Sequence, residues 1–321
     1  MSIPISLISP AFQILFGTAE ARLSTESMPA RLDLPLPLLA GRANESVGLA
    51  PEALSQQGDF TLARSRGQLA GAALMDASGR LEDVTERVFR QLLEVTSGLH
   101  LYRVWSYLPR INAVQGGLER YRQFNIGRWA AFESHFGVDL RAYLPAASGV
   151  GADGDHLVIL FEAGEAKPTY FENPSQIPAY HYPADYGPRP PGFARGVRVE
   201  RDEGAKVYLS GTASIEGHRS VGGGDWAQQF QTTLRHIRTM LGRMGVTSAL
   251  RPDQWERSGI RQAQFKCYLR EPECLPLITE WLEEACGTTQ HVTFLQSDIC
   301  RAELDIEIEA TIETMPSGPE A

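Results

Sequence analysis

Only four cysteines occur in the 321 residues: Cys267, Cys274, Cys286 and Cys300. None forms a C-x-x-C pair and no paired-histidine motif accompanies them. This argues against a zinc cluster or disulfide framework and for free thiols in a reducing cytoplasm. No apolar run approaches the roughly 20 residues needed to span a bilayer, so no membrane partner is expected. Met1–Phe16 is moderately apolar but no basic residue precedes Arg22, which makes a poor signal peptide. Basic residues number 30 against 39 acidic ones, a net charge of −9. They are scattered rather than blocked, which argues against nucleic acid. There is no G-x-G-x-x-G or Walker loop to cradle a nucleotide, no Ser–His–Asp set and no metal quartet. What remains is a soluble globular composition, 43% hydrophobic and 21% charged, long enough for two ordinary domains.

Residues 1 to about 57 are rich in Pro, Leu, Ser and Ala, with L-D-L-P-L-P-L-L at Leu32–Leu39. Prolines there forbid a central strand or helix interior, so an arm of loops and edge strands is expected. A strand-like run from Phe60 ends in L-A-G-A-A at Leu69. Helical spacing of Val84, Val88, Leu92 and Val95 predicts a helix over 81–96, stopped near Gly98. Strands are expected over Leu99–Leu108 and Leu157–Glu162, with a helix over 116–136 between them. The second half reads as a strand from Val207 breaking at Gly211, then a helix from Trp226 to Gly242. A strand over Gln264–Leu269, a helix over Cys274–Cys286 and a short strand Val292–Leu295 follow.

Between the halves, Asn173–Phe193 carries six of the twenty prolines and three of the ten tyrosines. A stiff linker explains the prolines. It does not explain Tyr180, Tyr182, Tyr186, Arg189 and Arg195, which suit an anionic, ring-shaped ligand. At the end, Cys300–Ala310 reads as the last strand: Leu304, Ile306, Ile308 and Ala310 alternate with Glu303, Asp305, Glu307 and Glu309. Period-two alternation puts the apolar side chains on one strand face and the carboxylates on the other. Such a face is ordinarily solvated. Turned into a cleft instead, crowded and partly buried carboxyls would have raised pKa values and could donate a proton near neutrality.

The two halves rhyme. L-A-G-A-A at Leu69 matches L-S-G-T-A at Leu209, and each is followed by an acidic helix opening (Asp83, Asp225). An in-phase Phe (Phe89, Phe230) and an aromatic strand ending in Tyr-Leu (Tyr107, Tyr268) complete each copy. Two copies of strand, helix, strand imply an α+β chain of two similar modules rather than a Rossmann or barrel fold.

The second half resembles the small YjgF/RidA-like (chorismate mutase-like) modules, in S-G-T-A, Y-L-R and the closing E-I-E-A. From about Tyr102 onward the chain resembles the chorismatase family. The carrying stretches are W-S-Y-L-P-R-I-N (Trp105–Asn112), R-Y-R-Q-F-N-I-G-R (Arg120–Arg128) and A-Y-H-Y-P-A-D-Y-G-P-R-P-P-G-F-A-R (Ala179–Arg195). S-G-T-A-S-I-E-G-H (Ser210–His218) and C-R-A-E-L-D-I-E-I-E (Cys300–Glu309) complete the set. The resemblance implies two tandem modules with mixed sheets and helices packed on one face. Residues 1–150 would be a degenerate module with its Pro-rich arm, and 151–321 the module carrying the active site. It implies cleavage of chorismate to pyruvate and a hydroxybenzoate or a dihydroxycyclohexadiene acid, with no metal or organic cofactor. It also implies a monomer or a homotrimer.

The resemblance puts the catalytic acid on Glu307 and two product-deciding positions on Ala213 and Cys300. Ala is similar to members that hydrolyse chorismate to the dihydrodiol, and Cys to those making 3-hydroxybenzoate. The mixed pair is most similar to a bacterial branch releasing both 3- and 4-hydroxybenzoate for pigment and quinone synthesis. A dianionic substrate calls for fixed cations and hydroxyls. The candidates are Arg122, Arg128, Arg189 and Arg195, with Tyr121, Tyr182, Tyr186 and Thr212 as donors, and Lys266 as a further cation. His181 and His218 lie in the motifs, where orienting a loop is the commoner role. Cys300 has no histidine at motif spacing to activate it and is assigned a shaping role. Two other readings remain. A RidA-like imine deaminase would carry an Arg near Val292 or Phe294, which is missing; a non-catalytic ligand-binding module is the other.

Overall fold

The computed structural model describes residues 9–137 and 142–316. The first eight residues, whose apolar character bears on the signal-peptide reading, and the last five of the C-terminal tail lie outside it. No helix among the described residues is long and apolar enough to cross a membrane. All four cysteines are free, as expected.

The N-terminal segment forms β1 (Pro10–Phe16), β2 (Arg22–Ser24), β3 (Ala30–Leu34), β4 (Leu38–Ala40) and β5 (Asn44–Leu49). Four of these make a sheet in the order β2-β3-β1-β5. The arm is therefore more ordered than its composition suggests: β1 and β3 are interior strands. Pro35 and Pro37 fall between β3 and β4, where no ladder needs their missing N–H.

The first module comprises β6 (Ser55–Gln57), β7 (Phe60–Ser65), β8 (Gln68–Asp76), α1 (Leu81–Val95) and β9 (His100–Pro109). It continues through β10 (Val114–Gln115), β11 (Leu118–Glu119), α2 (Arg120–Phe136), β12 (Ala146–Ala152) and β13 (His156–Gly164). Its sheet has the order β12-β9-β13-β8-β7-β6. Residue 150, the expected boundary, lies inside β12, and the first sheet extends to Gly164.

The second module begins with β14 (Thr169–Phe171), β15 (Gly196–Val199), β16 (Lys206–Ala213), β17 (Ile215–Glu216) and β18 (Arg219–Ser220). Next come α3 (Trp226–Arg243), β19 (Ile260–Leu269), α4 (Leu275–Cys286), β20 (Val292–Gln296) and β21 (Ile306–Thr314). Its sheet runs β14-β15-β16-β21-β19-β20, and β4 of the N-terminal segment adds the far edge. The modules share one wiring: hairpin, helix, strand, helix, a parallel edge strand, and a last strand inserted antiparallel at the centre. By register, Val158 of β13 sits opposite Tyr107 as Glu307 of β21 sits opposite Tyr268. The first module thus has a valine where the second has its acid.

Helices α1 and α2 cover one face of the first sheet, and α3 and α4 one face of the second, each over its own apolar core. Asp225 caps α3 by accepting from the Gln228 amide at 3.0 Å. The other sheet faces meet in a third cluster that includes Phe12, Leu32, Trp105, Tyr208 and Tyr268.

The final strand begins at Ile306, not Cys300. The chain just before it is engaged by side chains instead of a ladder: Arg270 donates to the carbonyls of Arg301 and Leu304, and Gln229 bonds both the amide and the carboxylate of Asp305. From Ile306 onward the alternation holds. Ile306, Ile308, Ala310 and Ile312 are buried under the helices, each isoleucine being worth about 1.5–3 kcal/mol. Glu307 and Glu309 are also buried, at 4% and 2% exposure, so this acidic face is not solvated.

Candidate active site

Glu307 and Glu309 point from the centre of the second sheet toward β9 and β12 of the first. Burying two carboxylates two residues apart is costly unless at least one is paired or neutral. The structure does both. Glu309 accepts from Arg103 Nη2 at 2.8 Å, Trp105 Nε1 at 2.8 Å and Lys266 Nζ at 2.9 Å. Lys266 also binds Glu45 of β5 at 2.6 Å. Burial pushes the Glu309 carboxyl up, but Lys266 and Arg103 outweigh it and hold it down at about 2.

No protein group among the described residues hydrogen-bonds the Glu307 carboxyl. Burial, reinforced by the fixed negative charge of Glu309, pushes it up to about 8 against the weaker pull of Arg103 and Arg195. The pair is therefore split into a permanent anion and an acid that holds its proton at neutral pH. Space for that acid comes from Gly211. Strand β16 does not break there, as the sequence suggested, but shifts register against β21 between Leu209 and Thr212. The Gly211 amide donates to Ser148 Oγ at 3.0 Å, and Arg103 donates to the same hydroxyl at 2.6 Å.

Glu307 forms the floor of a cleft between the modules. Helix α2 contributes Tyr121, Arg122 and Arg128, and β12 contributes Ser148 and Gly149. The Pro-rich loop contributes Tyr182, Tyr186 and Arg195, and the second module Ala213, Cys300 and Arg301. Arg195 donates to the Tyr182 hydroxyl at 2.7 Å and stacks 5.2 Å from the Phe193 ring, while its Nε is buried without a partner. Arg128 bonds Asn125 at 2.7 Å and is buried over Phe124. Arg301 lies 4.0 Å over Tyr186 and donates to the His218 carbonyl and Ser220 hydroxyl, both at 3.0 Å. A buried acid beside four guanidiniums and several phenols can bind an anion and protonate it.

A family model for the N-terminal part of FkbO/Hyg5-like chorismatases matches residues 47–163. A chorismatase of Streptomyces hygroscopicus is 33% identical over 262 residues, spanning 78% of this chain and 73% of that protein. The chain belongs to the chorismatase family. A 3-hydroxybenzoate synthase of the same organism is 32% identical over 251 residues, covering 75% of this chain and 72% of its own. A chorismatase crystal structure at 1.08 Å resolution matches with a TM-score of 0.80 at 28% identity, covering 97% of this chain and 95% of that one.

In this chorismatase fold, nine of the twelve residues singled out from sequence line the cleft: Glu307, Cys300, Ala213, Tyr121, Arg122, Arg128, Tyr182, Tyr186 and Arg195. Three do not. Arg189 is exposed and lies 3.4 Å from Glu133. Thr212 pairs with Ile308, and cross-strand neighbours share a face. Its side chain is therefore turned toward the helices, where it bonds the Ser210 carbonyl. Lys266 stands behind the acid, paired with Glu309, and meets the cleft only through it. Asp305, one of the alternating carboxylates, precedes the strand and is bound by Gln229. His218 orients the loop, its Nδ1 lying 3.1 Å from the Tyr186 hydroxyl. His181 is exposed. The Cys300 thiol is pushed up to about 12 by burial and then by Glu307, so it is no thiolate. Val292 and Phe294 are buried in the second core, away from the cleft.

The cleft is also not confined to residues 151–321, because α2 and β12 build one wall. Arg103, Ser148, Gly211 and Arg301 were not singled out. Arg103 was within reach, since a lone arginine in an apolar strand demands a buried anion. The others depended on the contact between modules.

Proposed function

We propose that this enzyme cleaves chorismate to pyruvate and a hydroxybenzoate, with Glu307 as the general acid. The single observation that carries this is a buried carboxyl, pushed up to about 8 by burial and by Glu309, on the floor of a cleft lined by Arg122, Arg128 and Arg195. Protonating the methylene carbon of the enolpyruvyl ether gives an oxocarbenium ion. The ether bond to the ring then breaks, its electron pair forming the keto group of pyruvate. Loss of a ring proton makes the ring aromatic and balances the proton that Glu307 gave. Glu309 keeps the acid protonated until substrate arrives. The arginines and the Tyr121 and Tyr182 hydroxyls meet the two substrate carboxylates. Release of pyruvate and hydroxybenzoate balances chorismate without water, whereas the dihydrodiol route consumes one water.

Ala213 lies directly across from Glu307 in the ladder, and Cys300 lines the same cleft. Both favour a product-steering role, and the Ala–Cys pair supports 3- and 4-hydroxybenzoate as products, with the dihydrodiol as the second reading that Ala213 favours. The reading places the enzyme in the cytoplasm, where four free thiols persist, supplying hydroxybenzoates for pigment or quinone synthesis. Incubating the protein with chorismate, following pyruvate with a coupled dehydrogenase and separating the ring products tests it. Stoichiometric pyruvate and hydroxybenzoate are expected, and no pyruvate above background would refute it.

A further inference from the structure

A second cavity opens on the far side of the Glu309 support, between the N-terminal segment and the outer half of the second sheet. Its wall includes Arg42, Trp255, Phe265, Lys266 and His291. The N-terminal segment is built onto this place. Strand β4 pairs with β20, Ala40 opposite Phe294. Gly41 follows with φ +90°, and a Cβ there would lie 2.4 Å from the Val292 carbonyl. Only glycine allows that approach, and it delivers Arg42 to the cavity.

The charges in the wall are nearly matched. Lys266 is shared by Glu45 and Glu309, and Arg261 lies 3.8 Å from Glu313. Arg42 has no carboxylate within ion-pair distance among the described residues. Arg42 is exposed and is the one cation left over, which suits a monoanion. The neighbouring surface is aromatic: His291 packs edge-to-face between Trp255 and Phe265, with ring centroids at 5.6 and 5.4 Å. Burial drives its imidazole down to about 4, so it is neutral. Both ring nitrogens are buried without a hydrogen-bond partner, one donor and one acceptor going unused. Unmet buried polar atoms of this kind carry a cost and call for an explanation.

We propose that this cavity is a second ligand site for a ring-bearing monocarboxylate, its carboxylate on Arg42 and its ring against Trp255 and His291. A ring hydroxyl reaching His291 would satisfy one of the unused nitrogens. Because Lys266 forms part of the wall, the site abuts the buried charges that keep Glu309 ionised.

Calorimetric titration of the full-length protein with 3-hydroxybenzoate, benzoate and inorganic phosphate tests this. The expected result is two 3-hydroxybenzoate molecules per chain. Arg42→Ala and Arg42→Glu should each retain one, with turnover unchanged, and Arg195→Ala should lose the other. His291→Phe should weaken 3-hydroxybenzoate at the second site at least tenfold more than it weakens benzoate. One molecule per wild-type chain, or two in the Arg42 variants, would overturn the proposal. So would phosphate binding there as tightly as the aromatic acids, which would reduce the site to a bare anion hole.

Discussion

A Cβ on Gly211 would lie 2.1 Å from Oε1 of Glu307, closer than any real contact. The acid's carboxyl occupies space that a side chain would take from the neighbouring strand. Gly211→Ala must push Glu307 out of position while leaving the ladder intact. Displacements of about 1 Å at a reacting group cost on the order of 10²-fold. Pyruvate release should fall by that order with the melting temperature nearly unchanged, and normal turnover would show that the acid's position is not critical.

Glu307→Gln keeps shape and polarity but has no acidic proton to give. General acid catalysis is worth about 10²–10⁴-fold, so kcat should drop by that factor while equilibrium titration still detects chorismate binding. Near-normal turnover in this variant would sink the mechanism.

The acid's pH dependence has a definite sign. Burial and Glu309 hold Glu307 at about 8 instead of 4.5. The rate kcat/KM should be flat up to about pH 8 and fall about tenfold per unit above it. Stability responds in a lower window than the rate: between pH 4.5 and 8 the folded state binds a proton that the unfolded chain has lost, so Glu307's contribution declines as pH rises through that range and is gone above it. Glu309, held at about 2, contributes stability at neutral pH that is lost as pH falls below 4.5. Denaturant unfolding against pH should show the decline between pH 4.5 and 8 in the wild type and a shallower one in Glu307→Gln.

Lys266 and Glu309 form a buried ion pair at 2.9 Å. Removing one partner leaves the other only partly paired, Glu309 with Arg103 or Lys266 with Glu45, so the loss approaches the ~3–5 kcal/mol of a broken buried pair. Lys266→Met and Glu309→Gln should each destabilise by that order. The double variant should be less destabilised than the sum, a coupling that a double-mutant cycle reads directly. Additive losses would show that the two charges act independently.

Cys300→Gln should shift the ring product toward the dihydrodiol by placing a water-binding amide in the cleft, with total pyruvate release changed far less than by Glu307→Gln. An unchanged product ratio would remove Cys300 from product choice.

Period-two alternation was enough to mark Ile306, Ile308 and Ala310 as one face of a strand and Glu307 as a member of the other, because side-chain direction in a strand is local geometry. The duplicated helix and strand patterns likewise revealed two modules, since each copy repeats its own apolar spacing. Whether the acidic face met water or protein was not local. It was decided when β9 and β12 of the first module brought Arg103, Trp105 and Ser148 against it, from more than 150 residues away. The same packing left Thr212 and Lys266 outside the cleft, since strand register sets which face a residue shares and how far along it lies. It also divided two neighbouring glutamates into an anion and an acid. Their pKa values depend on burial and on cations supplied across the fold, and Glu307 is an acid because every strong partner went to Glu309.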